Sequence, residues 1–439
     1  MKNKIFYFLF IPLISFSQIQ IGDDIDGETQ ANGSGWSVSL NNNGNIVAIG
    51  AIFNSGINGI ASGHVRVYKN ESGIWNQIGA DIDGEAQLDY SGYSVDINSD
   101  GNIVAIGAIN NSSQAGHVRI YKNESGVWTQ LGNDIDGEAV SNASGWSVSL
   151  SADGNTVAIG APLNNGNSFL TGHVRVYKYN IESDLWIKLG QDIDGENFDS
   201  SGWSVSLNAD GSIVAVGSNS RDGGVPDSGK ARVYKYIALN WVQIGTDIND
   251  NLAGELSETV VCLNADGNIL AVGSTGNDNN GINSGFVRVF KNNSGIWEQI
   301  GTGINGEAAG DESGSAISLN AAGNILAIGA PENDNAGHVR IYKNISGNWQ
   351  KIGNDIDGEY SADESGSAVS LSADGNIVAI GAPENRAKGQ QTGHVRIYDL
   401  TAVLSTENFE NNYFSIYPNQ LHQVFVYFLH NALGKMLLS

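Results

Sequence analysis

Hydrophobic and polar positions alternate along this chain in short bursts separated by Gly, Asn, Asp and Ser. Gly35-Trp36-Ser37-Val38-Ser39-Leu40 has the two-residue period of a half-buried strand, Asn42-Asn43-Gly44-Asn45 is a tight turn, and Ile46 to Ala51 is a short apolar strand. A polar loop leads to Gly63-His64-Val65-Arg66-Val67-Tyr68-Lys69, where His64, Arg66 and Tyr68 take one face and Val65 and Val67 the other. The turn Asn70-Glu71-Ser72-Gly73 delivers a fourth strand, Trp75-Asn76-Gln77-Ile78-Gly79, and Asp81-Ile82-Asp83-Gly84-Glu85 then opens the next unit.

The third-strand phrase returns at Gly116, Gly172, Gly229, Gly285, Gly337 and Gly393, a period of about 55 residues. Seven units of four antiparallel strands predict an all-β fold, a seven-bladed β-propeller over residues 18–400. The Trp that begins the fourth strand occurs as Trp75, Trp128, Trp186, Trp241, Trp297 and Trp349, with none after Tyr398. Gln18 to Gly22 matches the other fourth strands, so the N-terminal strand is expected to complete the last blade and close the ring.

Units five to seven depart from the pattern. Where the first four carry Trp or Tyr after Ser-Gly, the fifth has Ser257-Glu258-Thr259, and the next two have Ser315 and Ser367. Such drift is ordinary among blades, and it is also the pattern an asymmetric site would leave.

Composition narrows the partners. Lys plus Arg is 22 against 47 Asp plus Glu, a net charge of -25, which argues against nucleic acid and anionic membranes. The 57 Gly and 6 Pro suit tight turns between many strands. Cys262 is the only cysteine, which excludes an internal disulfide and is read as a small core residue. Lys2 and Lys4, the apolar run Ile5 to Ile14, and Ser15-Phe16-Ser17 read as a secretory signal peptide over residues 1–17. No later segment is long and apolar enough to span a membrane.

The richest candidates for cation binding are the acidic phrases: Asp24, Asp26 and Glu28; Asp81, Asp83 and Glu85; Asp134, Asp136 and Glu138; Asp192, Asp194 and Glu196; Asp355, Asp357 and Glu359. Carboxylates one residue apart beside a Gly turn can wrap a hard cation such as calcium. They can equally accept backbone N–H groups in a blade-to-blade turn, or pair with the Arg that recurs in every unit, Arg66, Arg119, Arg175, Arg232, Arg288, Arg340 and Arg396. His64, His117, His173, His338 and His394 recur at one blade position; being spread around a ring, they cannot converge on one ion and are read as packing residues. No Ser-His-Asp context, nucleotide-binding loop or zinc-protease phrase is present. The second-to-third loops vary most, and there Phe53, Phe169, Leu170, Arg221 and Arg386 stand out as ligand-contact candidates.

Ser-Gly-Trp-Ser-Val-Ser-Leu, the Asp-Gly-Asn turn, Ile-Val-Ala-Ile-Gly-Ala-Pro and Gly-His-Val-Arg-Val-Tyr, best preserved over Ser144–Tyr177 and Ser365–Tyr398, resemble the FG-GAP repeat of integrin-alpha-like propellers. That resemblance implies a seven-bladed propeller used in adhesion. The family's calcium loop is shortened here to Asn41–Asn45, Ser151–Asn155 and Ser372–Asn376. Phe414-Ser415-Ile416-Tyr417-Pro418-Asn419, within a tail over residues 401–439, resembles the start of a type IX secretion sorting domain, in a truncated form.

Together these readings predict an exported, monomeric binding or adhesion module at a bacterial surface. Its partner would be an extracellular protein or glycan, with no cofactor beyond calcium and no catalytic activity. The alternatives are a polysaccharide-acting propeller enzyme and a calcium-dependent spacer. Singular acidic or aromatic residues gathered at the central pocket would favour the enzyme.

Overall fold

The computed structural model describes residues 17–166, 169–219, 229–249 and 258–405, with the backbone of 417–418 and 425–426. Arg221, most of the leader and most of the tail lie outside these residues. The rest forms seven antiparallel sheets, the blades of a propeller. The first blade runs Ser34–Leu40, Ile46–Ala51, His64–Glu71 and Ile74–Gln77, in that order across the sheet. The acidic phrase was expected to open the next unit. Instead its Ile82–Asp83 strand pairs with the third strand of its own blade, Asp83 opposite His64 and Ile82 opposite Val65.

Each apolar second strand is sandwiched between blades. Val38, Val47, Ile49 and Tyr68 of blade one pack with Ala379, Val395 and Ile397 of blade seven, and equivalent clusters fill the other junctions. Each such side chain contributes about 1.5–3 kcal/mol of burial. The blades meet so closely that a Cβ on Gly50 would strike the backbone carbonyl of Gly92 in the next blade.

Two circular sets of hydrogen bonds ring one end of the axial channel, around a cavity of about 250 Å³. In the turns after the first strands, the N–H groups of Asn42, Ser99, Ala152, Ala209, Ala265, Ala321 and Ala373 each donate to the next turn's carbonyl at 2.8–3.2 Å, and Ala373 returns to Asn42. One layer away, the first-strand N–H groups donate in the opposite sense, to the side chain of the preceding blade. Leu40 bonds Ser370 (2.9 Å), Ile97 bonds Ser39 (3.1 Å) and Leu150 bonds the Asp96 carboxylate (2.7 Å). Leu207 bonds Ser149, Leu263 bonds Ser206, Leu319 bonds the Cys262 sulfur at 3.3 Å, and Leu371 bonds Ser318. Cys262 is therefore more than core filler: it stands in for a serine acceptor at the axis.

The N-terminal strand closes the ring as the sequence predicts. Ile19–Gln20 pairs antiparallel with the last third strand, Ile19 opposite Asp399 and Gln20 opposite Tyr398. The indoles of Trp128, Trp186, Trp241 and Trp297 each donate to a carbonyl in the preceding blade's outer edge at 2.8–2.9 Å, and Trp75 finds the same acceptor in Ile21 at 2.8 Å. Gln18 takes the place of the missing seventh Trp, its amide packed over Gly353 and donating to the Asn354 carbonyl at 2.6 Å.

Candidate functional site at the mouth of the axial channel

At the other end the first strands begin, and their entry residues line a cavity of about 330 Å³. In blades one and two a bulge breaks the register between Ser34 and Ser37 and between Ser91 and Ser94, which lifts Trp36 and Tyr93 off the ladder. The corresponding residues in blades three to seven are Trp146, Trp203, Thr259, Ser315 and Ser367; all but the buried Thr259 line the cavity, and in blade five its neighbour Glu258 does so instead.

The mouth has two unlike halves. Over blades one to four the rings run side by side: Trp36 to Tyr93 at 5.7 Å, Tyr93 to Trp146 at 4.9 Å and Trp146 to Trp203 at 4.5 Å between centroids. Over blades five to seven the aromatics give way to Glu258 and the two serines, and Glu364 also faces the cavity. Glu364 precedes Ser365 as Glu312 precedes Ser313, at the position held by Gly33, Tyr90 and Ala143 in the first three blades. Both glutamates adopt the left-handed backbone region, φ 53° and 52°, which side chains other than Gly enter at a cost of about 1 kcal/mol or more.

This half is electrostatically crowded. Burial, then the carboxylates of Glu384, Glu332 and Glu312, pushes Glu364 up to about 7. Burial and Glu332 also raise Glu312. Across the mouth, burial and the Glu258 carboxylate raise the Tyr93 phenol. No Lys or Arg is among the described residues lining the cavity. At the opposite end of the channel, burial pushes Asp96 up to about 6, although Leu150 N–H and the Ser39 hydroxyl both donate to it.

The loop candidates scatter. Phe53 is half-buried, its ring 5.9 Å from Trp36 and 5.8 Å from Tyr90, and so buttresses the aromatic arc. Phe169 is 59% exposed and rests edge-on against Phe198 at 5.6 Å. Leu170 is half-buried and Arg386 is exposed. The drift at Glu258, Ser315 and Ser367 was visible in the sequence. Glu312 and Glu364 were missed, although they too are residues that break the repeat.

The acidic phrases do not fold around one ion each. Asp81 turns toward His64, while Glu85 of the same phrase turns toward His117 of the next blade. The recurring Arg was expected to meet a carboxylate, but its shortest bond is to a main-chain carbonyl: Arg66 to Asp26 (2.8 Å), Arg119 to Asp83 (2.7 Å), Arg396 to Asp357 (2.6 Å). The Glu carboxylate lies behind it, at 3.7, 3.5 and 3.9 Å. In blade four, Arg232 instead pairs directly with Asp199 at 2.5 Å and Asp247 at 3.0 Å.

No protein family matches the sequence, and no curated protein matches it. Among solved structures, the chain is similar to the periplasmic gluconolactonase of Pseudomonas aeruginosa, at 15% identity and a TM-score of 0.52 over 74% of this chain and 85% of that one. It is similar to a Bacteroides uniformis protein proposed as a 6-phosphogluconolactonase, at 12% identity and 0.55, covering 77% and 89%. It is also similar to Raptor of Chaetomium thermophilum, at 12% and 0.54, covering 88% of this chain and 29% of that one. At these identities the likeness is one of fold. It nonetheless overturns the expectation of a module without catalytic activity, since propellers of this architecture include lactonases.

Proposed function

We propose that the channel mouth binds and hydrolyses a carbohydrate, the polysaccharide-acting alternative raised by the sequence. The observation that supports this most is the pairing of a continuous four-ring aromatic arc with a carboxyl group, Glu364, poised near 7. Aromatic faces offer flat apolar area to the C–H faces of a sugar ring, and the carboxylates accept its hydroxyls. Glu364 retains its proton near neutrality and can give it to a departing glycosidic oxygen as the C–O bond breaks, while a water that loses its proton to a second, ionised carboxylate of the mouth forms the new C–O bond at the anomeric carbon. The crowd of carboxylates, with no cation among the described lining residues, selects neutral or amino sugars over phosphorylated or uronic acids. The N-terminal leader and the sorting-like tail support delivery to the cell surface, where glycans are met, and the FG-GAP resemblance supports a propeller that engages extracellular material.

The test is a panel of neutral, amino and acidic glycans incubated with the full chain, with release of reducing ends as the readout. Hydrolysis of a neutral or amino glycan is expected, with Glu364→Gln lowering kcat about 100-fold or more and leaving binding intact. A panel with no turnover, or turnover indifferent to Glu364→Gln, would defeat the proposal.

A further inference from the structure

Five of the seven blade junctions assemble one imidazole and two carboxylates. At the first they are Glu28, His64 and Asp81; at the last, Glu359, His394 and Asp24; and His117, His173 and His338 each head an equivalent trio. The ligand atoms of each trio lie within 4.8 Å of one another. The Glu comes from the phrase entering the blade, the His from its third strand and the Asp from the phrase leaving it. Ligands far apart in sequence therefore converge, which the reading of the histidines as packing residues did not foresee.

Hydrogen bonding does not account for two of these imidazoles, and leaves Nε2 of the other three without a partner. His64 and His394 are 1% and 0% exposed, yet neither ring nitrogen of either has a hydrogen-bond partner. Nδ1 stands 3.5 Å from Asp81 Oδ2 in one and 3.4 Å from Asp24 Oδ2 in the other; around His117 the two carboxylates are 3.7 and 3.8 Å away. Such separations are long for a strong hydrogen bond. They are close to the roughly 3.4 Å between two ligands that each sit about 2.1 Å from a tetrahedral ion.

The carboxylates are held from behind. The residue four before each Asp grips its other oxygen: Gln77 to Asp81 Oδ1 at 2.6 Å, Gln20 to Asp24 Oδ1 at 2.7 Å, and Lys188 to Asp192 Oδ1 at 2.8 Å. Arg119 faces Glu85 Oε1, leaving Oε2 toward the imidazole. Fixing one oxygen so that the other points inward is how outer groups orient metal ligands.

The two remaining junctions vary as a cation site should. In blade four Lys230 replaces the His, and its ammonium sits 2.6 Å from Glu196, a built-in positive charge. In blade five Phe286 replaces the His and Gly303 the Asp, and the phenyl ring occupies the space a side chain at Gly303 would need. Neither junction has an imidazole.

We infer that the five His-headed junctions are sites for a divalent first-row transition ion of the Zn²⁺ type, bound by one imidazole and two carboxylates with an open position for water. An imidazole among only three ligands disfavours calcium, which takes six to eight oxygens. Each ion would bridge two blades, and the one at His394 would pin the N-terminal segment to blade seven.

The test uses the full chain stripped with a chelator, reloaded with Zn²⁺ and freed of excess ion. About five ions per chain are expected, falling to four in His64→Asn. A stoichiometry below one, or one unchanged by that substitution in a folded variant, would overturn the inference. Because the variant could fail to fold, anomalous diffraction from wild-type crystals soaked in Zn²⁺ gives an independent reading. Peaks beside His64, His117, His173, His338 and His394, with none at Lys230 or Phe286, support the sites, and their absence refutes them.

Discussion

The two ends of the axial channel are built by the same seven strands yet obey different rules. At the hydrogen-bonded end every blade contributes an acceptor to the same first-strand partner, and where the serine changes, as at Asp96 and Cys262, the residue is still an acceptor. At the mouth the residue at one ring position runs through Trp, Tyr, Thr and Ser, and in blade five the preceding residue, Glu258, faces the cavity. Backbone explains the difference. A first-strand N–H at the hydrogen-bonded end is left without a partner if its neighbour's side chain is lost, so substitution there is punished. At the mouth the Ser315 and Ser367 hydroxyls do donate to the Glu312 and Glu364 carbonyls, but each of those carbonyls also accepts a backbone N–H, so no main-chain group is orphaned when the side chain changes and the repeat is free to become a site.

The comparison can be broken most severely at the closure itself. Deleting residues 18–22 removes the last blade's outer strand, the carbonyl that accepts from Trp75 and the Ile21 N–H that donates to the Ile397 carbonyl; a loss of several kcal/mol is expected in chemical denaturation. An unchanged midpoint would refute ring closure by this strand. Next in size is the aromatic arc: Trp146→Ala with Trp203→Ala should weaken glycan binding about 10- to 100-fold by calorimetry while leaving the melting temperature within about 3 °C.

A matched pair of serines sharpens the contrast. Ser149→Ala orphans the Leu207 N–H and should cost about 1–3 kcal/mol, whereas Ser315→Ala at the mouth loses one hydroxyl bond but leaves the Glu312 carbonyl its bond from the Ser315 N–H, and should cost less than about 1 kcal/mol. Equal losses would show that the two ends are not governed differently. The smallest effect concerns pH. Glu364, raised to about 7, binds its proton more tightly in the folded chain than in the unfolded one. Folding stability from this group therefore declines as pH rises from about 4.5 to 7. Glu364→Gln should match the parent near pH 4.5 and exceed it at pH 8 by about 1 kcal/mol, discounted for a half-exposed group.

Blade number and ring closure were legible in the sequence because both rest on counting a period: seven third strands, six tryptophans and one spare Ile-Gln-Ile-Gly. The hydrogen-bonded circles were not, because Ser39 or Ser149 reads simply as the polar side of an alternating strand. The mouth was half legible. Thr259, Ser315 and Ser367 break a conspicuous aromatic position and Glu258 the Gly before it, whereas Glu312 and Glu364 sit in a connection whose left-handed turn no periodicity reveals. The histidine trios were hidden because Glu28 and Asp81 belong to different phrases that only the blade junction brings together.

Pairing residue 19 with residue 399 also sets an order of events. Six blades can be assembled from neighbouring stretches of chain, but the seventh must wait until the first-made strand meets the last-made one. Bringing such distant segments together is slow, because the entropy of so long a loop is lost before its contacts are gained. The same delay works in reverse once the circle is shut: no blade has a free flank from which unravelling can begin, so the molecule's lifetime is governed by the rate at which that single strand lets go.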